Sequence, residues 1–252
     1  MKVVLDIRKG VEENAGLYFE KAKKAKKKLA GAEKALLESQ EKLMKAPKAQ
    51  EEQVVKPKLQ KEWFEKFRWF YSSEGSLCVG GRDATTNEIV IKKHCDKGDI
   101  VFHTELAGSP FFVVKTEGKK VGEGTLKEAA IATASYSRAW KLGLQTAEVF
   151  YVNPDQLSKK PRSGEYIAKG AFMIYGKKNI IPAEVGVAVG ITKDGKVMGG
   201  PVEALKANCT SFVKVLQGNE KASDVAKKIR KIIGGEVDDI IRALPSGGVK
   251  TL

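Results

Sequence analysis

Three cysteines and two histidines are all the thiol and imidazole that 252 residues offer. Cys78, Cys95 and Cys209 follow no ligand spacing and cannot all pair within one chain. They read as reduced thiols of a cytoplasmic protein, not as a disulfide framework. No apolar run approaches the ~20 residues of a membrane helix, so no membrane partner is expected. The start, Met1 to Asp6, lacks the apolar stretch of a secretion signal. There is no Cys-x-x-Cys for zinc and no Gly-x-Ser-x-Gly elbow for a serine hydrolase. Acidic residues are outnumbered, 31 against 45 Lys and Arg, leaving a net charge of +14. With 42% hydrophobic residues the chain is no disordered tail. Its length allows one large or two smaller domains.

The positive charge is uneven. Residues 1–61 hold 16 basic and 9 acidic side chains, which is half the excess in a quarter of the chain. Such a balance suits a polyanion, because neutralising phosphates releases counterions. Residues 11–45 predict one helix, with Glu12 and Glu13 at its positive end. Ala22, Ala25, Leu29, Ala32, Leu36, Ser39 and Leu43 form a heptad seam, and lysines cover the remaining surface. Pro47 ends the helix. The seam needs a partner: residues 50–61, another copy of the chain, or a segment absent from it.

At Trp63 the composition changes. Five aromatics fall within residues 63–70, where globular structure is expected to start, and alternation assigns them to a core. A hairpin follows around Glu74-Gly75-Ser76. Asp83 caps a helix over 84–93. Strands are expected at 100–103, 111–115 and 147–152, and near 171–175, 184–191 and 196–200. Thr125-x-x-Glu128 reads as a capping box for a helix reaching Lys141. Ser223 reads as the cap of a helix over 224–233, with a last short helix at 236–243. The expected fold is α+β: a mixed, mostly antiparallel sheet with packed helices, preceded by a long N-terminal coiled-coil helix. The domain reading is a basic coiled-coil helix at 1–46, a linker at 47–61 and an α+β body at 62–252.

Two motifs fail on inspection. Gly190 to Lys196 has phosphate-loop spacing, but Val197 stands where Ser or Thr must hold Mg²⁺. Asp194-Gly195 there reads better as a hairpin turn. His103-Thr-Glu105 resembles the start of a zinc deaminase site but lacks the two thiolates. No catalytic residue, metal site or cofactor is expected.

What remains is a polar, basic cluster: Gly80-Gly81-Arg82-Asp83, then Lys92, Lys93 and His94, Arg138 near Trp140, and Lys177 and Lys178 after Tyr175. Cations interleaved with aromatics are what single-stranded or looped RNA asks for. The other reading of Arg82-Asp83 is an internal ion pair.

The run Trp63-Phe64-Glu65-Lys66-Phe67-Arg68-Trp69-Phe70, with Ser72-Ser73-Glu74-Gly75 and Gly80-Gly81-Arg82-Asp83-Ala84-x-x-Asn87-Glu88, resembles the NFACT-R domain. The likeness continues at His103-x-Glu105-x-x-Gly108-Ser109-Pro110, at Ala134 to Trp140 and at Gly164 to Asn179. Asp6 to Lys9 and Glu13 to Ala15 resemble the start of the preceding coiled-coil region. The resemblance is to the NEMF/RqcH family, in its archaeal form. It implies an RNA-binding module of ribosome-associated quality control, acting on large ribosomal subunits that carry peptidyl-tRNA. Its implied partners are rRNA, tRNA and the large subunit. It also places Arg82, Asp83, Asn87, His103, Lys177 and Lys178 on motif positions for RNA. Lys92, Lys93 and Arg138 join them from the charge reading. Full members begin with a larger N-terminal domain and a helix–hairpin–helix segment, which this sequence does not contain. Tailing activity is therefore not expected of this chain alone. The rival reading is a protein-interaction module that self-associates, or docks a partner or the missing N-terminal region, through the helix.

Overall fold

The computed structural model describes residues 4–45, 61–160 and 167–251. They fall into two units, Met1–Leu59 and Gln60–Leu252. In the first, helix α1 (Val11–Lys45) is tied down at its start. The buried Asn14 amide donates to the carbonyls of Asp6, Lys9 and Gly10 and accepts from the Asp6 N–H. The Tyr18 hydroxyl exchanges two hydrogen bonds with the Val4 backbone. The heptad seam lies open, with Leu29 at 61% and Leu36 at 59% exposed. The expected linker falls outside the described residues except for Lys61, as does the Leu43 side chain.

The second unit is built on a six-stranded antiparallel sheet. Its strands are β1 (Arg68–Tyr71), β2 (Leu77–Gly80), β3 (Ile100–Thr104), β4 (Phe112–Val114), β5 (Thr146–Val152) and β8 (Asn179–Glu184), in the order β1-β2-β4-β3-β5-β8. Between β5 and β8 runs a small ribbon, β6 (Leu157–Ser158) with β7 (Met173–Ile174). A second antiparallel sheet orders β9 (Val187–Thr192), β10 (Val197–Gly200), β11 (Cys209–Glu220) and β12 (Val249–Thr251) as β10-β9-β11-β12. The helices are α2 (Ala84–His94), α3 (Glu123–Ser135), α4 (Arg138–Lys141), α5 (Val202–Asn208), α6 (Ala222–Ile233) and α7 (Val237–Ala243). One continuous core joins both sheets.

Antiparallel register sets the two faces of the large sheet, because opposed residues share a side. Phe102 opposes Phe112, and Tyr136 at the end of α3 stacks on Phe112 at 5.9 Å. That face carries α3. His103 opposes Phe150 on the other face. The aromatic run after Glu62 is core as expected: Phe64, Phe67, Trp69 and Phe70 are buried. Trp63 instead lies on the surface, stacked on His94 at 4.1 Å.

Several elements differ from expectation. The helix predicted to run from Thr125 to Lys141 starts at Glu123 and breaks after Ser135. Thr125 and Glu128 do not cap one another. The Glu74 carboxylate, reaching over from the β1–β2 turn, accepts from the Thr125 N–H and hydroxyl, and Glu128 accepts from the Ser73 N–H. The hairpin turn thus takes the place of a capping box. Ser223 lies inside α6, whose N-cap Lys221 makes no side-chain cap. The strand near 184–191 is two strands, β8 and β9. Strand β11 and helix α5 were not foreseen. Asp194-Gly195 is the β9–β10 turn, with Gly195 at φ +76°, so the phosphate-loop spacing is a hairpin.

Candidate nucleic-acid interface

The structure gathers aromatic rings and lysines on the face of the sheet opposite α3. Helix α2 frames one side. Its N-cap Asp83 accepts from the Thr86 N–H at 2.8 Å, and the Thr86 hydroxyl accepts from the Asp83 and Arg82 N–H groups. The Thr86 backbone bond holds the Asp83 carboxyl below its ordinary range. Asn87, one turn on, is buried. Its Oδ1 accepts from the Phe111 N–H at 3.1 Å and its Nδ2 donates to the Ser109 carbonyl at 3.3 Å. It pins the loop before β4 to the helix. Gly81 is glycine because a Cβ there would lie 1.9 Å from Asn87 Oδ1.

The loop positions Phe111, and a row of rings extends from it. His103 stacks on Phe111 at 4.1 Å, and Phe172 meets Phe111 edge-on at 5.5 Å. Phe150 lies 6.0 Å from His103. Two lysines cover this row. Lys159 Nζ lies 4.4 Å from the Phe172 centroid, and Lys178 Nζ lies 4.5 Å from that of Phe150. Both are cation–π contacts. Carboxylates hold the cations in place. Lys178 pairs with Glu105, while Glu88 pairs with Lys92 at 2.6 Å and Lys159 at 3.6 Å. Glu88 also accepts from the Gly170 N–H at 3.4 Å. Gly170, at φ +80°, approaches Ala84 so closely that a Cβ would sit 2.5 Å from the Ala84 Cα. The backbone at Gly170, just before β7, is thereby clamped to the start of α2.

Burial is the main reason the His103 imidazole titrates low, at about 4. The ring is neutral at pH 7 and serves as an aromatic surface. The thiols are equally inert: burial pushes Cys95 up to about 12 and Cys209 up to about 11. Cys78 is fully buried. No cluster of three metal-ligating side chains occurs among the described residues. No described helix is long and apolar enough to cross a membrane.

Residues 66–176 match the family described as the NFACT protein RNA binding domain. The Archaeal Rqc2 homolog aRqcH of Methanocaldococcus jannaschii is 43% identical over 204 residues, 77% of this chain and 30% of that protein. The human Ribosome quality control complex subunit NEMF is 39% identical over 175 residues, 67% of this chain and 16% of that protein. The Ribosome quality control complex subunit 2 of Schizosaccharomyces pombe is 33% identical over 192 residues, 73% and 19% of the two chains. The chain carries an NFACT-R domain of the NEMF/RqcH family. It spans less than a third of the length of these relatives.

Within the NFACT-R domain the expected contact residues occupy unlike places. Arg82 and Lys93 are exposed, and neither side chain has an ion pair or hydrogen bond among the described residues. The expected alternative for Arg82, an ion pair with Asp83, is not formed, since Asp83 faces Thr86. Lys177 is exposed beside Lys178, its carbonyl accepting from Gln156 Nε2 at 3.0 Å. Lys92 and Lys178 are paired with Glu88 and Glu105 at the ring row. Asp83 and Asn87 spend their polar groups on the cap and the loop, and His103 lies within the wall. Arg138 stands on α4, beside α3, and is not brought to the ring row. Sequence reading passed over Phe150, Phe172 and Glu88. Nor did it name Lys159 as a contact residue. The signal available was the alternation of β5, which puts Phe150 on the side of Val152 and away from Tyr151.

Proposed function

We propose that this chain is a non-catalytic RNA-binding module of a cytoplasmic ribosome quality-control factor, contacting rRNA or tRNA on stalled large subunits. The observation that carries this reading is the pair of lysines held over rings, Lys159 on the half-buried Phe172 and Lys178 on the buried Phe150. Rings accept unpaired bases while ammonium groups meet the backbone. Arg82, Lys93 and Lys177 add cations with no side-chain partner among the described residues. The names of the relatives supply the setting, ribosome quality control. The test is fluorescence anisotropy with labelled tRNA and a length-matched DNA duplex, from ~50 to ~300 mM salt. Tighter binding to tRNA with a linear log–log salt slope supports the reading. Equal, weak binding to both refutes it.

A second reading rests on α1. Its open leucine seam has no partner among the described residues. A module that works by protein contact would dimerise through it in light scattering and show no RNA affinity at ~150 mM salt.

A further inference from the structure

Arg68 opens β1 and is 6% exposed. Its Nη1 donates to the Gly81 carbonyl at 3.2 Å and its Nη2 to the Ser246 hydroxyl at 3.1 Å. The plane of the group lies 4.5 Å from the Tyr136 ring centroid. Its Nε–H is buried with no acceptor among the described residues. No carboxylate pairs with this cation among the described residues. Tyr136 cannot neutralise it, because its hydroxyl donates to the Ala243 carbonyl and burial pushes its pKa up. The Asp83 carboxylate is committed to Thr86. The nearest added charge has the wrong sign: Arg82 follows Gly81 directly in the chain. Burial, with Arg82 adding to it, outweighs the opposing effects of Tyr136 and Asp83 and brings the Arg68 guanidinium down to about 10.

A buried charge is normally compensated, since leaving it alone costs several kcal/mol. Here the compensation is missing, and it is missing at a rim. Ser246, which takes one of the two bonds, is exposed, and Gly247 and Gly248 after it bring no side chains. The rim therefore offers a guanidinium edge, a hydroxyl and a second, exposed guanidinium from Arg82. Planar forks of this kind fit tetrahedral oxyanions.

We propose that Arg68, Arg82 and Ser246 form a phosphate-binding notch, and that the phosphate it takes belongs to an RNA backbone. The second half of that statement rests on the function proposed above. The first half does not. Arg68 is thus a binding residue hidden from an exposure-based search. The phosphate supplies the counter-charge that the fold withholds.

The test has two arms, both on the whole chain. The first is thermal melting with inorganic phosphate against chloride at matched ionic strength. Phosphate is expected to raise the wild-type melting temperature. Ser246→Asp places a carboxylate at the exposed rim. It is expected to raise the melting temperature without phosphate and to abolish the phosphate shift. Arg68→Met keeps the volume and removes the charge, so it is expected to melt close to wild type and also to lose the shift. Ser223→Asp, on the exposed start of α6, carries the same charge change as the rim variant and is expected to keep the shift. A phosphate shift that survives Ser246→Asp overturns the notch, whether or not Arg68→Met folds. The second arm is tRNA anisotropy against salt. Arg68→Met is expected to weaken binding about tenfold and to lower the log–log salt slope by about one. An unchanged slope with a phosphate shift that depends on Arg68 overturns the RNA source and leaves a site for free phosphate. No tRNA binding by wild type, with the same shift, refutes the proposed function but not the notch.

Discussion

Asn87 tests whether the NFACT-R motif is one contact surface or a scaffold with contacts attached. Asn87→Ala removes two hydrogen bonds at once, leaving the Phe111 N–H unpaired and taking from the Ser109 carbonyl a donor it shares with the His103 ring. Both residues are buried, at 2% and 3% exposed, so water cannot replace the lost partner without opening the loop. The orphaned N–H costs about 1–3 kcal/mol and the carbonyl's lost bond about 1 kcal/mol, so the variant loses about 2–4 kcal/mol. For a unit of roughly 200 residues that is a fall of about 5–15 °C in melting temperature. A domain of ordinary stability survives this at low temperature.

The assay pairs calorimetry with tRNA anisotropy at ~15 °C, well below the transition. The expected result is a large drop in melting temperature with RNA affinity within about twofold of wild type. Lys177→Ala is expected to behave in the opposite way, with an unchanged melt and a salt slope lower by about one. If Asn87→Ala melts like wild type yet loses tRNA binding tenfold, the amide faces RNA and the internal bonds described here are not its role.

Other outcomes follow from the same geometry. Lys159→Ala and Lys178→Ala together are expected to lower the salt slope by about two, read in the same anisotropy titration. Lys115 is bonded to Asp96 and to the buried Asp99, so Lys115→Met strands a carboxylate and is expected to cost about 3 kcal/mol in denaturant unfolding. His103 titrates at about 4 in the folded chain against 6.5 for an ordinary imidazole. The unfolded chain therefore takes up its proton first. The stability tied to this group is complete above pH 6.5 and is lost as pH falls towards 4, by about 3 kcal/mol. His103→Phe keeps the stack and removes the proton, so its stability-against-pH curve is expected to be flatter than wild type across that window.

Much of the large sheet was legible because its strands are short, apolar and punctuated by turn residues. Asp83 announced α2, since an aspartate followed by Thr at the third position satisfies its own helix end. The Thr125 signal misled for a related reason: the same residue types were present, but a carboxylate 51 residues away took the N–H. Local pattern carries no trace of such a long-range cap. Strand β11 escaped because its twelve residues mix half-buried, exposed and buried positions and do not alternate cleanly. At the site, the charges were visible and their partners were not. Nothing near Lys178 in the chain points to Glu105, and nothing near Arg68 shows that no described carboxylate pairs with it. In the sequence Gly80 and Gly81 stand only as part of a polar, basic cluster. The structure makes both close-packing positions, against the Phe112 ring and Asn87.

The pairing of cations on the ring row bears on how RNA is held. A lysine already bonded to glutamate gives up that bond when it meets phosphate, so Lys92, Lys159 and Lys178 contribute less than their charge implies. In return, Glu88 and Glu105 fix ammonium groups that would otherwise roam, and fix them over rings. Replacing Glu105 by Gln separates the two effects. Loss of the carboxylate removes a repulsion towards phosphate, which strengthens binding and steepens the salt slope. Loss of the tether frees Lys178 from Phe150, which weakens binding without changing the slope, because the same number of phosphates is still neutralised. The tether is an exposed ion pair, worth at most about 1 kcal/mol, and the rings hold Lys178 in part without it. The repulsion therefore wins: Glu105→Gln is expected to bind tRNA more tightly than wild type at ~50 mM salt, with the advantage fading by ~300 mM as screening sets in. Weaker binding at every salt concentration would mean that the position of the Lys178 ammonium, and not the charge of the face, governs recognition.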